Sequence, residues 1–207
     1  MAPSSPLRTG YLVLYNAVSA VAWSVVLYRT VLTCVNFGFA YTYFEVGEWT
    51  RWTQTAACLE ILHSLFGIVR APVATTIMQV MSRLLLVWAI TYPYPYVTQA
   101  PSYASMLFAW SVTEVIRYSY FATSLVGFQP WFLTFLRYNT FFVLYPLGIF
   151  SECSLIFITS KFLPGPEKYI LYAILAIYVP GSYILYTYMM KQRSKVFGGA
   201  QSVKKTQ

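Results

Sequence analysis

The sequence predicts an all-α polytopic membrane protein, a bundle of about six transmembrane helices enclosing a polar cavity. Three observations carry that expectation. Only 10% of the 207 residues are charged and 58% are hydrophobic, whereas about a quarter of a soluble domain is charged. The apolar residues come in blocks long enough to cross about 30 Å of hydrocarbon as helices. Inside those blocks sit a few ionisable residues, which are costly in lipid and therefore face the interior of a bundle.

The predicted spans are 11–34, 53–70, 73–92, 103–126, 131–151 and 169–190, within a single transmembrane domain covering 1–207. Proline and glycine punctuation separates them: AP at 71–72, YPYP at 92–95, QAP at 99–101, GFQP at 127–130 and LPGP at 163–166, clusters that favour turns. The runs are too long and continuous for an outer-membrane barrel. The first run follows Arg8 alone, exceeds a signal-peptide core in length and lacks a small-residue cleavage site, so it reads as a retained span. Cys34, Cys58 and Cys153 are scattered, which argues against a disulfide framework or a cysteine metal site.

The net charge of +8 gathers in a basic tail, 191–207, with Lys191, Arg193, Lys195, Lys204 and Lys205. In a polytopic chain the positive-inside rule explains such a tail better than nucleic acid does, and it places the C-terminus in the cytosol. With six spans the N-terminus joins it. Glu45, Glu48 and Arg51 in the first loop agree; the loop at 161–168, with two lysines and one glutamate, runs against it. Lys204-Lys205-Thr206-Gln207 has the form of a K-K-x-x retrieval signal, a receptor-read address for the endoplasmic reticulum membrane.

Glu60 and His63 share a face of the second span, Arg83 lies in the third, Glu114 and Arg117 share a face of the fourth, and Arg137 and Glu152 lie in the fifth. A charge at a helix centre costs about 2.5 to 3.5 kcal/mol. Glu114 and Arg117 have the spacing of a local ion pair, and Arg70 and Arg137 are close enough to the cytosolic ends to snorkel. With one histidine and no aspartate in the chain, neither a metal site nor a cofactor is expected. HSLFGIVR (63–70) has the spacing of the tyrosine-phosphatase signature but holds Ser64 in place of its cysteine. Serine is a poor nucleophile without an activating base, and the run reads as a helix in lipid.

LRYNTFFVLYPLGIFSE (136–152) is the most informative stretch. Tyr145 and Glu152 are two helical turns apart and project from one face, with Gly148 between them leaving a slot. Pro146 can kink the helix there. A carboxyl that removes a proton from carbon beside a phenol that protonates a departing oxygen is the equipment of an acid–base elimination. Transport and a purely structural role are the other readings of these intramembrane charges, although no repeated halves of the transporter kind are visible.

LEILHSLFGIVRAPV (59–73), SRLLLVWAI (82–90), WSVTEVIRYSYF (110–121), LRYNTFFVLYPLGIFSE (136–152) and IYVPGSYILYTYMMKQR (177–193) together resemble the very-long-chain 3-hydroxyacyl-CoA dehydratases, a family once labelled protein tyrosine phosphatase-like, and its plant members in particular. The most specific words are Y-P-x-G-x-x-x-E and T-E-x-I-R-Y. The resemblance implies a six-helix enzyme of the endoplasmic reticulum that removes water from 3-hydroxyacyl-CoA to give trans-2-enoyl-CoA, the third step of fatty-acid elongation. It implies that Tyr145 and Glu152 are the catalytic pair, with their acid and base roles exchangeable. Arg83, Glu114 and Arg117 would then shape the cavity, with Glu60 and His63 nearby, and Arg70 and Arg137 would meet the anionic part of coenzyme A. The implied partners are the condensing enzyme and the two reductases of the elongation cycle; a non-catalytic scaffold of that complex is the alternative. If the fifth span begins at 131, Tyr145 lies 14 residues in, about 21 Å deep at 1.5 Å per residue.

Overall fold

The computed structural model describes residues 6–204, with side chains through residue 198. Among these residues every regular element is helical: α1 (Pro6–Asn36), α2 (Thr42–Ala56), α3 (Cys58–Leu65), α4 (Val73–Leu84), α5 (Pro101–Leu125), α6 (Trp131–Asn139), α7 (Phe141–Phe162) and α8 (Glu167–Lys204). Short 3-10 turns occupy Phe39–Tyr41 and Pro95–Gln99, and a π-helical segment, Leu85–Thr91, continues α4. The proline punctuation falls where helices start. Pro72 precedes α4, Pro101 opens α5 and Pro130 precedes α6, because proline's fixed φ suits a first turn and its missing N–H has no partner to lose there. At the other end of α5, Gly127 turns to φ 82°, and the bonds Phe128 N–H to Thr123 O and Gly127 N–H to Ser124 O close a Schellman cap,.

Four described stretches are long and apolar enough to cross a membrane: Pro6–Asn36, Val73–Thr91, Phe141–Phe162 and Glu167–Gly198. α5 is long enough at 25 residues but carries Glu114, Arg117 and many serines and tyrosines. The expected second span is divided, since Thr42–Ala56 and Cys58–Leu65 are separate helices that meet at Ala57. Glu45, Glu48 and Arg51, expected in a loop, are therefore helical. Charge density suggested a loop there, but α2 accommodates two of them through an i,i+3 Glu48–Arg51 pair at 3.8 Å and Arg51 stacked 4.3 Å from the Tyr92 ring centre.

The stretch expected as one span at 131–151 is likewise two helices broken at Thr140, and the second runs on to Phe162. Pro146 lies inside α7, so the break falls six residues before the proline. The basic tail beyond 190 continues α8 as helix through Lys204. Lys205 lies outside the described residues, as does the side chain of Lys204, so the retrieval signal finds no structural counterpart. The phosphatase-like run is not a continuous helix: α3 ends at Leu65, and Gly67 at φ 65° turns the chain. Ser64 is buried with its hydroxyl donating to Ala71 O at 2.9 Å, so it is spent on closing this turn.

α5 is the spine of the fold, packed along both α1 and α7, while α8 lies against α7 and, more briefly, α6. The core gathers Trp23 and Val26 of α1, Leu86, Val87 and Ile90 of the π segment, Met106, Leu107 and Trp110 of α5, and Leu155 and Ile156 of α7. Outward-facing residues such as Val21, Val143, Phe150 and Val179 are apolar and exposed, as a lipid-facing surface requires. Against lipid, apolar burial alone does not drive helix association, so close packing and interhelical hydrogen bonds carry more of it. One such bond joins Ser105 of α5 to Ser151 of α7 at 2.8 Å, fixing α7 against α5 one residue before Glu152.

Candidate active site

α7 sets Tyr145, Gly148 and Glu152 on one face by helical spacing, and all three line a cavity of about 920 Å³. Glu152 is buried and receives two hydrogen bonds, one per carboxylate oxygen. The Trp110 indole N–H of α5 donates to Oε1 at 2.8 Å, and the Tyr178 hydroxyl of α8 donates to Oε2 at 2.9 Å. The Tyr145 hydroxyl donates to the carbonyl oxygen of Ser182 on α8 at 3.0 Å. The two candidate groups therefore face one cavity, each with its own partner. A Cβ on Gly148 would lie 3.9 Å from both Glu152 Oε1 and Ala109 Cβ, which is ordinary contact. The glycine leaves a free space directly beside the carboxylate.

Glu60, Arg83, Glu114 and Arg117 form a second network. Arg117 binds Glu60 through both terminal nitrogens, at 2.9 and 2.6 Å, and Glu114 through Nε at 2.6 Å. Arg83 closes on the other oxygen of Glu114, and the Tyr118 hydroxyl donates to Glu60. The i,i+3 pair anticipated within α5 is present, and it extends across α3 and α4. This network meets the first site where the Arg83 guanidinium lies 5.0 Å from the ring centre of Trp110, whose N–H holds Glu152. Cation–π contact of this kind is worth about 0.5 to 2 kcal/mol.

Nine of the ten residues singled out for the pair and the cavity line it: Tyr145, Gly148, Glu152, Arg83, Arg117, Glu60, His63, Arg70 and Arg137. Glu114 does not. It lies behind the wall with 1% of its surface exposed, because Arg83 and Arg117 cover it from two sides. His63 is buried and shares a 2.7 Å hydrogen bond with the Tyr11 hydroxyl of α1, so it ties α3 to α1. Arg70 is exposed, as is Arg8, which reaches Gly67 O at 3.1 Å and Ile68 O at 2.9 Å from the start of α1. Arg137 has no carboxylate beside it among the described residues; its guanidinium lies 4.3 Å from the ring centre of Phe121 and 4.9 Å from that of Tyr120.

Sequence reasoning missed Trp110, Tyr178, Ser182 and Arg8. A signal existed for the first, since Trp110, Glu114 and Arg117 recur at i, i+4 and i+7 along one face of α5. Tyr178 is one of 19 tyrosines in an apolar helix and carried no such mark.

The family model "Protein tyrosine phosphatase-like protein, PTPLA" matches residues 54–199, which include every residue of both sites except those on α1. A probable very-long-chain (3R)-3-hydroxyacyl-CoA dehydratase of Schizosaccharomyces pombe is 44% identical, over 93% of this chain and 95% of its own length. The dehydratases PASTICCINO 2A of Oryza sativa and PASTICCINO 2 of Arabidopsis thaliana are 42% and 40% identical, over 96% and 92% of this chain and 97% and 94% of theirs. No solved structure matches. The phosphatase-like run without its cysteine, the Tyr145–Glu152 face and these end-to-end similarities converge: the chain belongs to the protein tyrosine phosphatase-like family, the family of the very-long-chain (3R)-3-hydroxyacyl-CoA dehydratases.

Proposed function

We propose that this chain is a carbon–oxygen lyase that dehydrates very-long-chain 3-hydroxyacyl-CoA to trans-2-enoyl-CoA in fatty-acid elongation, with Glu152 as base and Tyr145 as acid. The observation that carries the assignment of roles is the environment of Glu152. Both of its oxygens accept hydrogen bonds, from Trp110 and Tyr178, which is the pattern an ionised, acceptor-only carboxylate wants. Tyr145, by contrast, donates and so holds a proton to give.

Glu152 takes a proton from C2, and the freed electron pair becomes the C2–C3 double bond. The C3–O bond breaks with its pair on oxygen, which receives the Tyr145 proton and leaves as water. Glu152 is then neutral and Tyr145 ionised, so one proton passed from carboxyl to phenolate restores the starting state. The chain's own residues supply every group these steps need.

In this reading the chain crosses the endoplasmic reticulum membrane six times, with α2 and α3 together and α5 adding to the four most apolar spans. The cavity is the polar interior that the intramembrane charges require. Both termini lie in the cytosol, and Lys204 and Lys205 serve retrieval. Arg70 and Arg137 receive the anionic part of coenzyme A, joined by Arg8 at the start of α1. Arg137 suits this role because no carboxylate pairs with it among the described residues, which leaves its charge for phosphate. The condensing enzyme and the two reductases of elongation are the partners.

The test is conversion of a long-chain 3-hydroxyacyl-CoA to enoyl-CoA by the purified chain in detergent, beside Tyr145→Phe and Glu152→Gln. Turnover by the parent and a roughly 10²- to 10⁴-fold loss in each folded variant is the expected outcome. A folded parent with no turnover would leave the scaffold reading in its place.

A further inference from the structure

Glu152 is held by two donors of different kinds. The Trp110 indole N–H can only donate, whereas the Tyr178 hydroxyl can donate or accept. The difference matters when the carboxylate takes up a proton. A carboxylic acid carries one O–H donor, which needs an acceptor in a buried site, since an unsatisfied polar group is costly there. Trp110, at Oε1, has no lone pair to offer. Tyr178, at Oε2, has one as soon as its hydroxyl rotates.

We propose that Tyr178 is a positioning residue for Glu152: it donates to Oε2 while the carboxylate is ionised and reverses to accept from Oε2–H once the substrate's C2 proton has arrived there. This inference rests on the reading of Glu152 as the base. It assigns the two oxygens separate duties. Oε1 stays fixed on Trp110 throughout, and Oε2 is the oxygen that collects the proton. The C2–H bond breaks with its electron pair going into the C2–C3 double bond, the proton forms Oε2–H, and the reversal itself is only a rotation of the phenol O–H away from Oε2.

The placement of α8 supports the assignment. Tyr178 lies four residues before Ser182, on the same helical face, and the Ser182 carbonyl is the acceptor for Tyr145. One face of α8 therefore sets both members of the pair, Glu152 through a phenol and Tyr145 through a backbone carbonyl. Tyr178 is only partly buried and lines the cavity, so its hydroxyl has room to rotate.

The experiment compares the parent, Tyr178→Phe, Glu152→Gln and Tyr183→Phe in the dehydration assay, with substrate carrying either hydrogen or deuterium at C2. Tyr178→Phe keeps the ring and removes the hydroxyl. Its kcat is expected to fall about 10- to 100-fold, the range for losing a hydrogen bond to a charged group, with KM within about twofold. The C2 isotope effect on kcat is expected to rise, because carbon–hydrogen cleavage becomes the slower step. Tyr183, exposed on the outer face of α8, is expected to leave both unchanged when made phenylalanine.

A Tyr178→Phe protein with the parent's kcat and isotope effect overturns the proposal, even if Glu152→Gln is inactive. A folded parent without turnover would instead overturn the dehydratase reading itself. If Tyr178→Phe does not fold, 3-fluorotyrosine placed at 178 changes the donor's strength with almost no change of shape. It is then expected to alter the isotope effect, and an unaltered one has the same overturning force.

Discussion

The charged groups of α3, α4 and α5 and the carboxylate of α7 are treated in opposite ways. Glu60, Glu114, Arg83 and Arg117 satisfy one another, charge against charge, with bidentate geometry between Arg117 and Glu60. Among the described residues Glu152 has no cation bonded to it; a tryptophan and a tyrosine hold it instead. Charge-on-charge pairing locks a carboxylate in one state, since removing a partner from a buried pair costs about 3 to 5 kcal/mol. Neutral donors orient a carboxylate and still let it take up a proton. The contrast separates a buried acid built to hold helices together from one built to react.

The largest effect that tests this contrast is at the pair. Glu152→Gln and Tyr145→Phe are expected to cost turnover roughly 10²- to 10⁴-fold while leaving the midpoint of thermal unfolding in detergent near the parent's. Unfolding at much lower temperature would make Glu152 a structural acid like Glu114. Arg117→Met is the mirror experiment. It strips partners from Glu60 and Glu114 at once and is expected to lose about 3 to 5 kcal/mol of stability, read by the same melt. An unchanged midpoint would break the comparison from the other side.

A smaller effect is expected at Gly148. Alanine there makes only ordinary contacts at 3.9 Å, so the melt should not move. The methyl does occupy space beside Oε1, and kcat/KM is expected to fall about tenfold, below the 10²-fold that an ångström of misplacement can cost. Parent-like kinetics would mean that substrate does not use this space. The smallest effect belongs to a cation of the cavity wall: Arg137→Gln is expected to raise KM about 5- to 10-fold at constant kcat, the mark of lost uniform binding. A fall in kcat alone would move Arg137 away from the anionic end of the substrate.

The helical, lipid-exposed character of the chain was legible in its residues because apolar block length and proline punctuation are local properties. The common face of Tyr145 and Glu152 was legible for the same reason: seven residues are two turns wherever the helix lies. The Glu114–Arg117 pair followed from spacing alone, but its extension to Glu60 and Arg83 did not, since it depends on how α3, α4 and α5 pack. Glu114 was expected at the cavity and lies behind its wall, because which side of α5 faces space is a tertiary fact. The division of α2 from α3 at Ala57 and of α6 from α7 at Thr140 escaped notice because neither site bears glycine or proline. Tyr178 and Ser182 were illegible because their partners lie 26 and 37 residues away.

The π-helical stretch Leu85–Thr91 has a consequence in the arithmetic of insertion and deletion. Before it, Arg83 faces the cavity; after its start, Leu86, Val87, Ile90 and Thr91 turn into the core. A π turn accommodates one residue more than an α turn, and each residue rotates an α-helix by about 100°. Deleting a single residue here would restore an ordinary α-helix and improve its local hydrogen bonding. It would leave Arg83 and the core-facing residues near their present faces, whereas the same deletion in the regular part of α4 would turn everything beyond it by about 100°, so this segment is where the helix best tolerates a change of length.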